Sequence, residues 1–171
     1  MFYFDQIVKK YEKSFSWDNV LTYLEERFLK ESNVFVLNSL IGFSWYYLIE
    51  GPIDSGKYQN DENELALAIW KKYIDIGIQT ACDNQYFNFI AGYTLSMNGF
   101  LINSEYESKG ILFMKNCYEI SDDLSLKLLA DNFLKNEKCK KHVPLKNSKK
   151  ICADIFSGDS LLERYFCTIY S

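Results

Sequence analysis

Proline and histidine are nearly missing from this chain, with 2 prolines and 1 histidine among 171 residues. Glycine is also sparse at 8. Little punctuation of that kind excludes a fold of many short strands joined by tight turns and leaves room for long helices. The five cysteines stand at 82, 117, 139, 152 and 167, an odd number with no close pair. That spacing fits neither a disulfide framework nor a zinc finger, and predicts reduced, mostly buried thiols in a cytoplasmic protein. The most apolar window, 34–49, falls short of the ~20 residues a bilayer needs and holds Asn38, Ser39 and Ser44, so no membrane span is expected. Met1 to Gln6 shows no basic segment leading into an apolar one, so no secretory signal is expected.

What is abundant is aromatic: 13 Phe, 13 Tyr and 3 Trp, within a chain that is 48% hydrophobic. Such a chain can bury one continuous core. The spacing predicts an all-α fold, a single-domain bundle of about seven to nine helices. Phe2, Phe4, Ile7, Val8, Tyr11 and Phe15 mark the first helix; Val20, Leu21, Leu24, Phe28 and Leu29 mark the second, ending near Ser32. Asn33 caps a third that Gly51-Pro52 stops, and a polar loop over 51–63 leads to a fourth, with Leu65, Ala68, Ile69, Tyr73 and Ile76 as its stripe. A fifth opens at Asp83 or Asn84 and closes at Gly99. A sixth over 106–120 runs through Ile111, Leu112, Met114 and Tyr118, and a seventh, capped by Ser121, carries Leu124, Leu128, Leu129, Asn132 and Phe133.

Leu40-Ile41-Gly42-Phe43-Ser44 returns fifty positions later as Ile90-Ala91-Gly92-Tyr93-Thr94, and Ala130 follows Ala91 by 39. With Ala68 paired to Gly110 in the second helices, the chain reads as divergent helical hairpins of tetratricopeptide-like period. The domain then has three parts: a body over 1–134, a Lys-rich connection over 135–150 holding seven Lys, His142 and Pro144, and an element over 151–171 that packs on the body and is read as helical.

Charge is uneven. Residues 1–134 carry 19 acidic against 11 basic side chains and residues 135–171 carry 4 against 8, so the body stands at −8 and the remainder at +4. An acidic body repels nucleic acid and steers a basic partner inward. The lysine stretch has no Arg or aromatic side chain for stacking on bases, and nucleic acid is not expected as a partner.

No catalytic motif survives inspection. Gly51 to Lys57 matches the first seven places of a phosphate-binding loop, but Tyr58 stands where a Ser or Thr must hold magnesium, and the preceding segment reads as helix, not strand. Cys139, His142, Cys152 and Cys167 lack the paired spacing of zinc ligands. The adjacent acids Asp61-Glu62 and Asp122-Asp123 sit at or near helix starts, where acids favour the dipole. No catalytic, cofactor-binding or metal-binding residue is assigned, and the chain is expected to bind, not to catalyse.

In its size, acidity, Tyr- and Phe-rich helices, single histidine and late lysine stretch, the chain resembles the α-helical immunity proteins of bacterial contact-dependent growth inhibition and related polymorphic toxin systems. That resemblance implies an antitoxin that binds a cognate toxin domain, often a basic nuclease, and occludes its active site or substrate-binding surface. From this sequence's own charges, the partner-binding residues are expected to be Asp54, Tyr58, Asp61, Glu62 and Glu64 in the long loop, with Glu119, Asp122 and Asp123 near the next unit's corresponding turn. The competing reading is a tetratricopeptide-like adaptor holding a peptide or helix in a Tyr- and Asn-lined groove.

Overall fold

Asn33, Asn84 and Asn103 each stand directly ahead of a helix and fold an amide oxygen back onto its first turn. Asn33 Oδ1 accepts from Phe35 N at 2.7 Å, Asn84 Oδ1 from Tyr86 N and Phe87 N at 3.0 Å, and Asn103 Oδ1 from Glu105 N at 3.0 Å and Tyr106 N at 3.2 Å. Asp5 does the same for Ile7 N and Val8 N. Each cap satisfies donors that the first helical turn leaves unpaired, which is why the helices begin where they do. The computed structural model describes residues 1–14, 16–55, 60–139, 145–158 and 160–170, with the backbone alone at 51–55, 60–62 and 139.

Among the described residues every regular element is helical: α1 Gln6–Lys13, α2 Trp17–Glu31, α3 Val34–Ser55, α4 Asn60–Thr80, α5 Gln85–Asn98, α6 Ser104–Ile120, α7 Leu124–Cys139, α8 Ser148–Ile155 and α9 Leu161–Tyr170, with one 3-10 turn at Gly99–Leu101. The all-α class and the helix count agree with the sequence reading. None of these helices is long and apolar enough to cross a membrane. They group into two compact units, Met1–Cys82 and Asp83–Ser171.

In the first unit α3 is the inner helix, packed by α2 on one side and α4 on another. Every residue from Val36 to Tyr47 is buried, Asn38, Ser39 and Ser44 included. Trp17 of α2 lies against Phe43, Tyr46 and Tyr47, with ring centroids 6.1, 5.7 and 5.8 Å away. The segment ahead of α1 is not helical, although Phe2 and Phe4 fit the apolar period of the first helix. Asp5 takes an extended backbone to cap α1, so the two rings arrive on a separate arm, and Phe4 meets Phe43 edge-on at 5.7 Å. Tyr3 N donates to Ser39 Oγ at 2.7 Å, tying that arm to α3.

Asp5 is the knot of this arm. Its carboxylate accepts from the hydroxyls of Tyr3, at 3.0 Å, and of Tyr23, while Arg27 Nη2 donates to Tyr3 Oη at 2.7 Å. Burial pushes the Asp5 carboxyl up, and the bonds from Tyr23, Val8 N, Tyr3 and Ile7 N together outweigh it, leaving the group below its usual range. A depressed folded-state pKa means stability that is fully present above the unfolded carboxyl value of about 3.9 and lost as pH falls through the folded value. Asp5→Asn is therefore expected to flatten acid unfolding: urea midpoints measured from pH 6 to pH 2 fall less steeply in the variant than in the parent. At neutral pH, Asp5→Ala is expected to cost about 1 kcal/mol as a lost helix cap.

In the second unit α5 and α6 run antiparallel at close range. A Cβ on Gly92 would stand 2.8 Å from Met114 N, one on Gly110 2.3 Å from Ser96 N, and one on Gly99 2.6 Å from Glu107 N. The three contacts step along both helices every three or four residues, a seam where backbone meets backbone. α7 packs on α6, α8 on α7 and α9 on α8. Beside the seam the rings of Phe89, Tyr93, Phe133, Phe156, Phe166 and Tyr170 form one aromatic cluster, centred on Phe166, which stacks on Phe156 at 5.3 Å and meets Tyr93 at 5.0 Å. Ser160 caps helix α9, its Oγ accepting from Glu163 N at 3.0 Å, and the Glu163 carboxylate, buried here, accepts from Ser157 Oγ. Gly158, with φ +71°, lets the chain turn between α8 and α9.

Several boundaries and faces differ from the sequence reading. Helix α3 continues through Gly51-Pro52 to Ser55, and α4 is already helical at Asn60, so most of the expected 51–63 loop is helix. A proline removes its own donor and crowds the carbonyl four residues back, about 3 kcal/mol that a helix buried along its preceding turns can absorb. Leu29, Leu65, Ala68, Leu112, Tyr118, Leu124 and Leu128 face solvent, not the core. Ala68 therefore does not match the buried Gly110, whereas Asn38, Leu40, Ile41, Gly42, Phe43 and Ser44 and their counterparts fifty positions on are all buried. Residues 135–139 continue α7, and α8 starts at Ser148, so the lysine stretch is partly helical; 140–144, with His142 and Pro144, lie outside the described residues.

Candidate functional site

The turn between α6 and α7 places acids and apolar side chains together on the surface of the second unit. Tyr118, Ile120 and Leu124 are 40%, 46% and 71% exposed, and Leu128 one turn further on is exposed as well. Glu119 and Asp122 are exposed between them and Asp123 is half-buried. Four large apolar side chains and three carboxylates thus fall within eleven residues, an apolar and charged mixture of the kind proteins use to bind proteins.

The turn is built to hold its shape. Ser121 ends α6 and points its hydroxyl at Gln85 Oε1, 2.6 Å away; the same oxygen accepts from Asp122 N at 3.2 Å. Gln85 Nε2 in turn donates to Asp122 Oδ1 at 2.6 Å. One side chain at the start of α5 thus grips three consecutive groups of the turn. Asp123, not Ser121, caps α7, its Oδ1 accepting from Ser125 N at 2.9 Å and Leu126 N at 3.1 Å. Helix α7 starts at Leu124, so the acid directly ahead of it, Asp123, meets the orphan donors of its first turn, while Ser121 stands two residues further back at the end of α6. Burial, then the Asp123 and Asp122 charges, raises the Tyr86 hydroxyl above its ordinary value, keeping it a neutral donor towards Asp123. Lys127 Nζ lies 5.2 Å from the Tyr118 ring centroid and holds that ring at the edge of the turn.

Of the expected contact residues, Glu119, Asp122 and Asp123 fall in this turn. Asp123 is spent on the cap and Asp122 is braced by Gln85, so Glu119 and the outer face of Asp122 carry the exposed charge. Glu64 is exposed on α4 of the first unit, beside the exposed Leu65. Asp54 lies on the last turn of α3 and Asp61 and Glu62 on the first turn of α4, where only the backbone is described; Tyr58 lies outside the described residues. The two groups belong to different units.

The apolar members Ile120 and Leu124, and the brace Gln85, were not anticipated. A signal existed for Leu124: extending its line by helical steps gives Leu128, Asp131 and Lys135, which ends in charge, whereas Leu126, Leu129, Ala130 and Phe133 keep an unbroken apolar period. Nothing in the sequence marks Gln85.

The other candidates resolve as follows. Gly51 to Ser55 is the end of a helix with helix before it, without the strand that precedes a phosphate-binding loop, and Gly56, Lys57 and Tyr58 lie outside the described residues. Among the described residues no three His, Cys, Asp or Glu side chains group as metal ligands. No family model matches the chain, and comparisons with curated proteins and with solved structures return no match.

Proposed function

We propose that the chain is a binding protein of the immunity type, which neutralises a basic toxin domain by docking the α6–α7 turn on it and covering its active site or substrate-binding surface. The observation that carries this reading is the turn itself: Ile120 and Leu124 exposed beside Glu119 and Asp122, on a turn held by Gln85 and the Asp123 cap. A preorganised loop loses little conformational entropy on binding, so its apolar contacts convert into affinity with small loss. Acids on the rim accelerate encounter with a basic surface and can stand where that surface would hold phosphates.

The test is co-expression with the C-terminal domain of the protein that the neighbouring upstream gene encodes, followed by binding kinetics on the purified pair. The parent chain is expected to restore growth. Leu124→Asp leaves the fold within about 0.5 kcal/mol, since the side chain is exposed, yet weakens the complex by roughly 30-fold, mostly through faster dissociation. Glu119→Lys instead slows association at low salt and matters less at high salt. An unchanged Kd in both variants would sink the docking surface. Equal affinity for short unfolded basic peptides would point to the adaptor reading.

A further inference from the structure

We propose that α2 and α3 build a binding site for a peptide segment carrying a tyrosine between two aromatic residues, and that the chain's own residues 1–4 occupy it in cis. Those four residues form neither helix nor strand, and α3 holds them by the backbone. Ser39 Oγ accepts from Tyr3 N at 2.7 Å and shares its hydrogen between Tyr3 O at 3.2 Å and Phe35 O at 3.0 Å. Asn38 Nδ2 donates to Met1 O at 3.3 Å. Two adjacent polar side chains at 0% exposure in an apolar helix are costly unless something docked there uses them. The side chains of the segment are read as well. Arg27 Nη2 donates to Tyr3 Oη at 2.7 Å, with the guanidinium carbon 5.2 Å from the ring centroid, and Asp5 accepts from the Tyr3 hydroxyl at 3.0 Å. Phe4 sets its ring edge-on to Phe43 at 5.7 Å.

Two features open this seat to exchange. Phe2, Tyr3 and Phe4 are half-buried, so the segment lies on the surface of the unit and is not sealed beneath other elements. It also leaves the site incompletely used: the Oδ1 of Asn38 is buried beside it and accepts no hydrogen bond among the described residues. A backbone N–H supplied to that oxygen by a partner segment adds a bond that residues 1–4 do not make, which offsets the advantage that covalent attachment gives the internal occupant. Asp5 stays behind as the cap of α1 and remains part of the site, so the internal occupant leaves by rotation of the backbone ahead of it. The recognised feature is specific. Ser39 pairs the backbone of the tyrosine, and Arg27 with Asp5 tests for its hydroxyl, which phenylalanine lacks. The site lies within the first unit and does not depend on the reading of the α6–α7 turn.

The probe is a fluorescein-labelled peptide, acetyl-Gly-Phe-Tyr-Phe-Gly-Lys, whose anisotropy is followed as the full chain is added. Phe4→Ala weakens the internal occupant and leaves Asp5, Arg27, Asn38 and Ser39 in place, so this variant is expected to bind the probe at least about tenfold more tightly than the parent. Adding Ser39→Ala to it, or replacing the probe's tyrosine with phenylalanine, is expected to weaken binding roughly tenfold, one lost hydrogen bond in each case. In the parent, which needs no substitution to be tolerated, saturating probe is expected to speed hydrogen exchange at the Tyr3 amide roughly tenfold as Ser39 changes partner. Equal affinity for the tyrosine and phenylalanine probes would mean adhesion to apolar surface and would overturn the proposal. So would the absence of saturable binding to Phe4→Ala with parent-like circular dichroism, or a Tyr3 amide whose exchange the probe leaves unchanged.

Discussion

Gly110→Ala is expected to destabilise the second unit by about 2–3 kcal/mol, against the direction that helix propensity alone would give. Replacing a mid-helix glycine with alanine in open surroundings stabilises by about 1 kcal/mol, because the unfolded chain loses freedom and the helix gains a better former. At Gly110 the new methyl would stand 2.3 Å from Ser96 N and 2.8 Å from Leu95 C, both backbone atoms. A flexible side chain could swing away at little cost, but backbone cannot, so α5 and α6 must separate along the whole seam. Overpacking of that kind costs typically 1–3 kcal/mol for one group and more when two helices move. Gly110→Val should therefore prevent the hairpin from forming. Ser108→Ala, on the exposed face of the same helix, is the control and should be neutral or slightly stabilising. Urea unfolding followed by far-ultraviolet circular dichroism ranks the variants. Parent-like midpoints for Gly110→Ala would mean that the seam is looser than these contacts require.

The same seam shows how far the sequence could be read. Gly42 and Gly92, the glycines of the pattern repeated at 40–44 and 90–94, are buried, and Gly92 meets Met114 backbone where α5 and α6 pack closely. Caps at Asn33 and Asn84 were legible because an amide side chain ahead of an apolar period has a local task. What was not legible depends on a choice between two locally satisfactory answers. Ser121 and Asp123 both read as caps of α7; the structure ends α6 at Ile120 and starts α7 at Leu124, which gives the cap to Asp123, while Ser121 bonds Gln85, 36 positions away in sequence. Leu65 and Ala66 both begin apolar stripes on α4; the one that wins, through Ala66, Ile69, Trp70, Tyr73 and Ile74, is fixed by which residues α3 presents. The candidate turn followed the same rule: its charges were visible, while the exposure of Ile120 and Leu124 emerged only once the competing stripe had been buried.

Phe166→Ala is expected to cost about 3–5 kcal/mol, the range for deleting a fully enclosed phenyl ring. The ring is 0% exposed and touches Phe89, Tyr93, Phe156 and Tyr165, four rings from α5, α9 and the end of α8, so no neighbour can collapse into the space without abandoning another contact. Phe166→Leu keeps most of the volume and loses the stack on Phe156 and the edge contact with Tyr93, so it should cost less, about 1.5 kcal/mol. The comparison also tests the helical reading of the final segment. Leu162, Glu163, Phe166 and Tyr170 are buried at helical steps, while Arg164 and Thr168 fall outside; an alternating strand would bury Arg164 with Phe166. Arg164→Ala should then change stability by no more than about 0.5 kcal/mol. Trp17, Trp45 and Trp70 all belong to the first unit, so tryptophan fluorescence does not report this cluster. Near-ultraviolet circular dichroism of the tyrosines and amide exchange across α5 and α9 do. Slow exchange in α9 of Phe166→Ala, equal to the parent, would show that the ring is not the keystone its contacts describe.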